Sequence, residues 1–380
     1  MTLCVLLLTN TFSFSQSPLI HQMVQQVSGD TLFATIADLQ PMDRVNASNS
    51  MVPAYYLKQR LQQYDVDTVF FHFFKDNTPP NVIGIRYGEL YPDDYYILGG
   101  HYDAVLPGAG ADDNASGTAG VLEMARVTRG IKLQKSLMLI LFAAEEVGLW
   151  GSFAFVDSAI NHSVNIEGMI NMDMIAYSHN LTDSSVSVCY KYHCLDMLDT
   201  FMVAAGLYVP ELGIETDSSS AVIWASDHAP FWLQQIPALF LIENSDRWGG
   251  SFNPYYHTFA DTIGMGANSP WLAEKITRSA VATLLLYVEP FLPIGIELPT
   301  YQKPTVTLYP NPTHQQFTIR SPQLTQHINL TLFDNTGRVV LSQMNLPNGH
   351  SVDISSLPHG VYFVRIDIDG EAVTKKVVKM

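Results

Sequence analysis

The spacing of apolar residues along the chain predicts helices first and strands after them. From residue 17 to about residue 64 the apolar positions recur with a helical period, as in Leu57, Leu61 and Tyr64, and polar residues occupy the opposite side. Three later segments are rich in β-branched and aromatic residues and end in turn residues; they are Val69 to Phe74, Val82 to Tyr87 and Tyr95 to Gly99. We therefore expect scaffold helices followed by a sheet.

The middle of the chain has the pattern of an α/β domain. Ser136 to Phe142 is a continuous apolar run, which is typical of a strand covered on both faces, and the residues from Val121 to Thr128 before it keep helical spacing. Strand, helix and strand in this order indicate a right-handed parallel crossover. Met169 to Met172 and Pro237 to Ile242 look like further buried strands, and Trp271 to Tyr287 like a long closing helix. The pattern predicts a three-layer α/β sandwich with a mostly parallel central sheet over residues 16–297.

The pattern changes after the proline-containing segment between Pro290 and Pro304. Short alternating segments follow, such as Ile328, Leu330 and Leu332, with turn residues between them. We expect a separate small all-β sandwich domain over residues 303–380.

Composition narrows the class of protein. The chain has 380 residues and is 47% hydrophobic, enough for a large buried core. It has 20 Lys and Arg against 36 Asp and Glu, a formal net charge of −16. Because a nucleic-acid partner needs basic groups that neutralise phosphates, this balance argues against one.

The amino terminus and the cysteines indicate export. Leu3 to Leu8 is apolar and is followed by small residues up to Ser15, which is typical of a signal peptide over residues 1–15, although no basic residue precedes it. The run is too short to span a bilayer, so no transmembrane anchor is expected. In an exported protein Cys189 and Cys194 would form a local disulfide. A metal site made of Cys189, His193 and Cys194 is the alternative.

Candidate metal ligands come directly after the strand-like runs, where open α/β sheets place their chemistry. Those that do so are His101, Glu145, Glu146 and Asp173, and the further candidates are Asp112 and His257. Two imidazoles and three carboxylates suit a hydrolase with two metal ions, one carboxylate bridging the pair. Because Glu145 and Glu146 are adjacent, their side chains diverge, so that one can bind metal while the other acts as general base.

Six motifs together resemble the dizinc aminopeptidases of the bacterial leucyl aminopeptidase type, in peptidase family twenty-eight. The motifs are Gly-Gly-His101-Tyr-Asp103, Gly110-Ala-Asp112-Asp113-Asn-Ala-Ser-Gly117, Ala-Ala-Glu145-Glu146, Asn-Met-Asp173-Met, Ser226-Asp227-His228 and Tyr-His257-Thr. The resemblance covers roughly residues 17 to 290. It implies the zinc exopeptidase fold, two Zn²⁺ ions and removal of amino-terminal residues from peptide substrates by a metal-bridging hydroxide.

The same resemblance implies a role for each residue of the motifs. Asp112 becomes the bridging ligand, His101 and Asp173 hold one zinc, and Glu146 and His257 hold the other. Glu145 becomes the general base. Asp103 becomes the second catalytic residue, which fixes an imidazole tautomer. Asp227 would do the same for His257, and Asp113 would orient backbone rather than ligate.

The resemblance also places the pocket for the first side chain of the substrate. Its expected lining is Ile223, Phe240, Ile242, Trp248, Phe252 and Tyr256. An apolar wall of this kind favours Leu, Met or Phe, although Phe240 and Ile242 fit ordinary core packing equally well. Two alternatives stay open: a glutaminyl-peptide cyclase of the same fold with a single zinc, and a metal-binding surface adhesin without activity.

The last 75 residues or so resemble the sorting domain of the type IX secretion route. The matching segments are Leu308-Tyr-Pro-Asn-Pro312, Phe333-Asp-Asn-Thr-Gly337, Leu357-Pro-His-Gly360-Val-Tyr362 and Lys375-Lys-Val-Val-Lys379. The resemblance implies the outer-membrane type IX secretion machinery as a partner. It also implies a secreted or cell-surface location reached through the periplasm.

Overall fold

The structure of the chain is a computed structural model. It describes residues 16–45, 48–106, 108–180, 185–220, 224–246, 250–292, 306–320, 328–334, 339–347, 349–368 and 371–380. The expected signal peptide, and the expected pocket residues Ile223 and Trp248, lie outside these ranges. The chain divides into two compact units, residues 1–296 and 297–380.

Eight helices are described in the first unit. They are α1 (Pro18–Gln25), α2 (Gly29–Leu39), α3 (Val52–Gln63), α4 (Ala115–Val127), α5 (Trp150–Asn161), α6 (Leu195–Tyr208), α7 (Ala229–Leu233) and α8 (Pro270–Val288). The side chains of Ser17, Ser28, Asn114 and Ser269 cap the amino termini of α1, α2, α4 and α8. Each cap accepts a backbone N–H that has no partner inside the helix, which explains why these helices begin where they do.

Nine strands form one mixed sheet in this unit. They are β1 (Thr68–His72), β2 (Asn81–Arg86), β3 (Gly88–His101), β4 (Lys132–Phe142), β5 (Asn165–Met172), β6 (Ser185–Cys189), β7 (Gly213–Asp217), β8 (Ala238–Ile242) and β9 (Pro290–Phe291). Their order is β1-β2-β4-β3-β5-β8-β6-β7, with β9 paired to β4. The central strands β4, β3, β5 and β8 run parallel to one another.

Helices cover both faces of the sheet. Adjacent residues of a strand point to opposite faces. At Gly99 of β3 an added Cβ would meet the ring of Phe142, whereas at Gly100 it would meet the backbone of Gly117 in α4. Phe142 in turn contacts Phe155 of α5, so α4 and α5 lie on opposite faces.

The predicted three-layer α/β class is confirmed. The parallel crossover through α4 joins β3 to β4 as expected. The strand predicted from Tyr95 begins earlier, at Gly88, because Gly88 and Tyr91 already pair with β4, through two irregular steps in register. Alternation alone could not reveal that part of the strand.

The second unit is an all-β domain, as predicted. One sheet has the order β10 (Thr307–Tyr309), β11 (Gln316–Arg320), β14 (Ser351–Asp353), and the other the order β13 (Val339–Leu346), β12 (Ile328–Phe333), β15 (Gly360–Ile368), β16 (Glu371–Lys379). All pairs of neighbouring strands in these sheets are antiparallel. Alternate residues such as Phe317, Leu330 and Val364 form its own buried core.

The predicted disulfide is wrong in this structure. Cys189 and Cys194 are both buried free thiols. Cys189 ends β6, and the sulfur of Cys194 accepts a hydrogen bond from the backbone N–H of Ala238, 3.5 Å away. Burial raises the pKa of the Cys189 thiol. Among the described residues, each group of donors that could hold a metal ion includes His101, so a site at Cys189, His193 and Cys194 is not supported either.

No helix within the described ranges has both the length and the apolar character needed to cross a membrane.

Candidate metal centre

The carboxyl ends of three parallel strands bring the predicted ligands together. His101 is the last residue of β3, and Asp173 directly follows β5. Glu145 and Glu146 come three and four residues after the end of β4. Because β4, β3 and β5 are neighbours and parallel, these side chains meet at one edge of the sheet.

His101 is surrounded by carboxylates. Its Nε2 atom lies 3.3 Å from Asp173 Oδ1, 3.3 Å from Asp113 Oδ1 and 3.9 Å from Glu145 Oε2. The imidazole is 1% exposed, so it is buried among these carboxylates. His101, Glu145 and Asp173 form one group of donor atoms close enough to hold an ion, and His101, Asp113 and Glu146 form another.

His257 approaches the same cluster from the loop before α8. Its Nε2 atom lies 3.1 Å from Asp113 Oδ2 and 3.1 Å from Glu146 Oε2. The two oxygens of the Asp113 carboxylate therefore point at different imidazoles, one at His101 and one at His257. A carboxylate in this position is suited to bridge two cations.

The structure corrects the expectation for Asp112. Its carboxylate accepts hydrogen bonds from the backbone N–H of Ala176 and from the side chain of Asn253, both at 2.8 Å. Asp113 occupies the place between the imidazoles that was expected of Asp112, and Asp112 binds the backbone, as was expected of Asp113. The two side chains are adjacent and diverge, and the sequence Asp-Asp does not reveal which one faces the histidines.

Asp103 supports three residues of the cluster at once. The Nδ1 atom of His101 lies 3.2 Å from the Asp103 carbonyl oxygen and 3.5 Å from its carboxylate. The same carboxylate accepts the backbone N–H groups of Glu145 and Glu146, both at 3.1 Å. Asp103 thus orients one imidazole and the two glutamates.

Asp227 was expected beside His257, and the structure places it elsewhere. Its carboxylate lies beside the Ser152 hydroxyl, and its pKa is raised to about 7 by burial first, while the charge of His101 opposes that rise. Asp227 therefore belongs to the His101 side of the cluster.

Several supporting residues had no sequence prediction. The Ser226 hydroxyl donates to Asp173 Oδ2 at 2.6 Å and accepts from the Asn171 side chain at 2.8 Å. Both residues stood in the motifs, which was the only signal available. The Asp261 carboxylate accepts the backbone N–H groups of Asp112 and Asp113, at 2.9 and 3.0 Å. Its position four residues after His257 could have suggested a link to that ligand.

The backbone is strained at three points of the cluster. Ala144, Met174 and His257 have φ values of +59°, +56° and +57°, in the left-handed region that non-glycine residues rarely adopt. One of them is a candidate ligand and the other two are next to candidate ligands. Strain held by surrounding structure at such positions is common at functional sites.

Burial and mutual contacts shift the pKa values of the acids and histidines in the cluster. Burial raises the pKa of Glu145 well above its usual range and that of Glu146 to about 8. Burial by itself would lower the pKa of His257, but hydrogen bonds to Asp113 and Glu146 outweigh that effect and raise the pKa to about 9. Burial would raise the pKa of Asp113 as well, yet its hydrogen bonds with His101 and His257 hold it below the usual range. The carboxylates thus favour positive charge at the centre of the cluster.

A small open pocket lies against the cluster. Four of the six predicted pocket residues line it, namely Phe240, Ile242, Phe252 and Tyr256, together with Met174 and Ala225. The carboxylates of Asp113, Glu145, Glu146 and Asp173 form its polar wall. The site therefore joins an apolar pocket to a group of metal donors.

Comparison with known families matches both units. Residues 81–281 match the profile of "Peptidase family M28", and residues 307–380 match that of "Secretion system C-terminal sorting domain". The first match covers more than half of the chain and includes all the candidate ligands.

Two individual proteins are similar to this chain in sequence. Aminopeptidase YwaD of Bacillus subtilis is 33% identical over 213 residues, covering 54% of this chain and 44% of its own length. Leupeptin-inactivating enzyme 1 of Streptomyces exfoliatus is 32% identical over 188 residues, covering 45% and 41%. The chain thus spans less than half the length of these two relatives.

Among solved structures, LapA aminopeptidase of Legionella pneumophila superposes with a TM-score of 0.66 at 20% identity, covering 77% of this chain and 79% of LapA. A glutaminyl cyclase of Bacteroides thetaiotaomicron superposes with a TM-score of 0.55 at 19% identity, covering 68% and 97%. At these identities both similarities concern the fold alone.

Proposed function

Because the chain belongs to peptidase family M28, we propose that it is a zinc aminopeptidase that removes apolar amino-terminal residues from peptides. The observation that carries the proposal is the Asp113 carboxylate, whose two oxygens lie 3.3 and 3.1 Å from the imidazoles of His101 and His257. A carboxylate shared between two imidazoles can bridge two metal ions held about 3.5–4 Å apart.

The donor set fits zinc. In a tetrahedral zinc site with ordinary bond lengths, neighbouring ligand atoms are roughly 3.3 Å apart. The separations of 3.1 to 3.3 Å among the imidazole nitrogens and the oxygens of Asp113, Glu146 and Asp173 agree with this spacing. We assign His101, Asp173 and Asp113 to one ion, and His257, Glu146 and Asp113 to the other.

Each bound zinc would polarise the substrate carbonyl and make a water molecule more acidic. Glu145 is the residue that takes the proton of the attacking water, because its carboxylate reaches the cluster but lies 3.9 Å from His101 Nε2, farther from an imidazole than the carboxylates assigned as ligands. It then delivers the proton to the departing amine. A raised pKa suits this role, since a base that must also release a proton works best near neutral pH.

Asp103 sets the position of the base. Its carboxylate holds the backbone N–H groups of both Glu145 and Glu146. The general base and one zinc ligand are thereby fixed relative to each other and to His101. We propose that Asp103 acts through these residues and does not touch the substrate.

The cavity suggests which substrates are used. Phe252, Tyr256, Phe240 and Ile242 all line the pocket together with the carboxylates. Phe240 is 2% exposed and also stacks on His228, so part of its role is core packing. The remaining apolar wall favours an uncharged first side chain such as Leu, Met or Phe.

The experiment that tests the function is zinc analysis of the purified protein combined with turnover of Leu-, Lys- and Glu-p-nitroanilide. We expect two zinc ions per chain and a preference for the Leu substrate. Phe252→Ala should lower kcat/KM for that substrate by about 10-fold or more, since burying an aromatic side chain is worth about 1.5–3 kcal/mol. Cyclisation of Gln-peptides with one bound zinc, or no turnover of any substrate, would contradict the proposal.

We also propose that the second unit directs export. Support comes from the match of residues 307–380 to a secretion sorting domain and from the separate core of that unit. The partner would be the outer-membrane type IX secretion machinery, and the enzyme would act at the cell surface or outside the cell.

A further inference from the structure

The guanidinium of Arg44 is a buried cation that is hydrogen-bonded to loops of the metal centre. Arg44 lies between α2 and α3 and is 4% exposed. Its Nη1 atom donates to the carbonyl oxygen of Tyr102 at 3.1 Å. Its Nη2 atom donates to the carbonyl oxygens of Ala109 and Gly110, at 2.5 and 2.7 Å. A single guanidinium therefore connects two separate loops.

Both loops carry candidate ligands. Tyr102 stands between His101 and Asp103, and Gly110 begins the turn that leads to Asp113. The backbone of Arg44 joins the first loop as well, because its carbonyl oxygen accepts the N–H of Ala104 at 3.2 Å. Arg44 is thus hydrogen-bonded to the backbone both just after His101 and shortly before Asp113.

The fit around the guanidinium is close. Gly110 has a φ of +60°, and a Cβ there would lie 2.8 Å from Arg44 Nη2 and 2.5 Å from the carbonyl oxygen of Asp113. The turn therefore requires glycine both for its backbone conformation and for the approach of the arginine.

Nearby carboxylates keep Arg44 charged. Burial lowers its pKa to about 10, while the charges of Asp261, Asp103 and Asp113 oppose that fall. Asp261 in turn accepts the backbone N–H groups of Asp112 and Asp113 and belongs to the loop of His257. Arg44 and Asp261 together connect all three ligand loops.

We propose that Arg44 is a positioning residue of the metal centre, which holds the loops of His101 and Asp113 at the separation that zinc binding requires. This inference rests on the proposed function, since it presupposes that the cluster binds zinc. The charge of Arg44 and its positioning role would change the zinc affinity in opposite directions. A fixed positive charge repels zinc, so a residue acting by charge alone would weaken binding, whereas a positioning residue strengthens it.

Arg86 provides a matched control. It is 5% exposed, and its guanidinium donates to the carbonyl oxygens of Asp65 at 3.2 Å, of Tyr64 at 3.1 Å and of Ala125 at 3.5 Å. None of those residues adjoins a candidate ligand in the sequence, and Arg86, the last residue of β2, pairs with Leu137, away from the carboxyl end of β4. Changing Arg86 tests the loss of a buried arginine without touching the ligand loops.

The test compares Arg44→Lys, Arg44→Gln, Arg86→Lys and wild type in the full chain. Zinc affinity is measured by competition with a chromophoric chelator, and the thermal midpoint of the metal-free protein is measured beside it. Lysine keeps the charge but cannot bond three carbonyl groups in the fork of a guanidinium. Arg44→Lys should therefore lower zinc affinity about 10- to 100-fold, as loss of residues that orient metal ligands does. Arg44→Gln should lower it to a similar extent, and Arg86→Lys should leave it within about threefold of wild type.

The visible spectrum of the Co²⁺-substituted protein gives a second readout. Arg44→Lys should change the position or intensity of the d–d bands, because the ligand geometry changes, whereas Arg86→Lys should keep the wild-type spectrum. Wild-type affinity and spectrum in Arg44→Lys, tighter zinc binding in Arg44→Gln, or an equal loss in Arg86→Lys would each overturn the inference. A wild-type protein that binds no zinc would instead overturn the proposed function, and this inference with it.

Discussion

Replacing Glu145 by Gln should separate catalysis from metal binding and from stability. Glu145 Oε2 lies 3.9 Å from His101 Nε2, near the donors but farther from the imidazole than Asp113 or Asp173. Gln has nearly the same shape and cannot take up a proton. A general base contributes about 10²–10⁴ to the rate. At 1.36 kcal/mol per factor of ten, the barrier should rise by about 2.7–5.4 kcal/mol.

The same change should stabilise the metal-free protein at neutral pH. Burial raises the pKa of Glu145 well above the value of 4.5 that it has in an unfolded chain. Above that lower pKa the unfolded chain releases the proton while the folded protein keeps it, so wild-type stability falls as pH rises. A glutamine side chain has no proton to lose. The variant should gain stability relative to wild type at pH 7, and the gain should vanish below about pH 4.

The assays are kcat with Leu-p-nitroanilide, zinc content, and urea unfolding in the presence of a chelator at pH 4 and pH 7. Glu146→Gln is the matched control, because Glu146 Oε2 lies 3.1 Å from His257 Nε2 and is assigned as a ligand. That variant should lose zinc from one site. If Glu145→Gln kept near-normal kcat, or lost both zinc ions, the assignment of the base would be refuted.

The corrected site and the two-unit chain support three further predictions. Asp113→Asn should lower the occupancy of both zinc sites together, whereas Asp112→Asn should retain at least one; two full sites in Asp113→Asn by metal analysis would rule out the shared carboxylate. Cys189 and Cys194 should both react with iodoacetamide in the unfolded protein without prior reduction, and a reductant should leave the thermal midpoint unchanged; a mass about 2 Da below that of the two free thiols would show a disulfide instead. Removing residues 303–380 should leave zinc content and kcat intact while the enzyme accumulates in the periplasm; release of the shortened enzyme into the medium would assign the tail another role.

Much of the architecture could be predicted from the local pattern. The apolar run ending at Phe142 and the helical spacing before it indicated a buried parallel strand and its crossover helix, and both are present. Polar residues directly after such strands indicated a site at the carboxyl edge. Local patterns report these features because each strand or helix buries its own periodic face.

The order of residues along the chain was enough to say which kinds of side chain meet at the site and at which strand ends, since burial of a strand also places the residue that follows it. The folded chain was needed to learn which of Asp112 and Asp113 faces the histidines, that Asp227 lies on the side of His101, and that Arg44 joins two ligand loops. These facts depend on the direction of a side chain at a turn and on contacts between segments far apart in the chain. No periodicity records such contacts, because they arise only when the strands are assembled into one sheet.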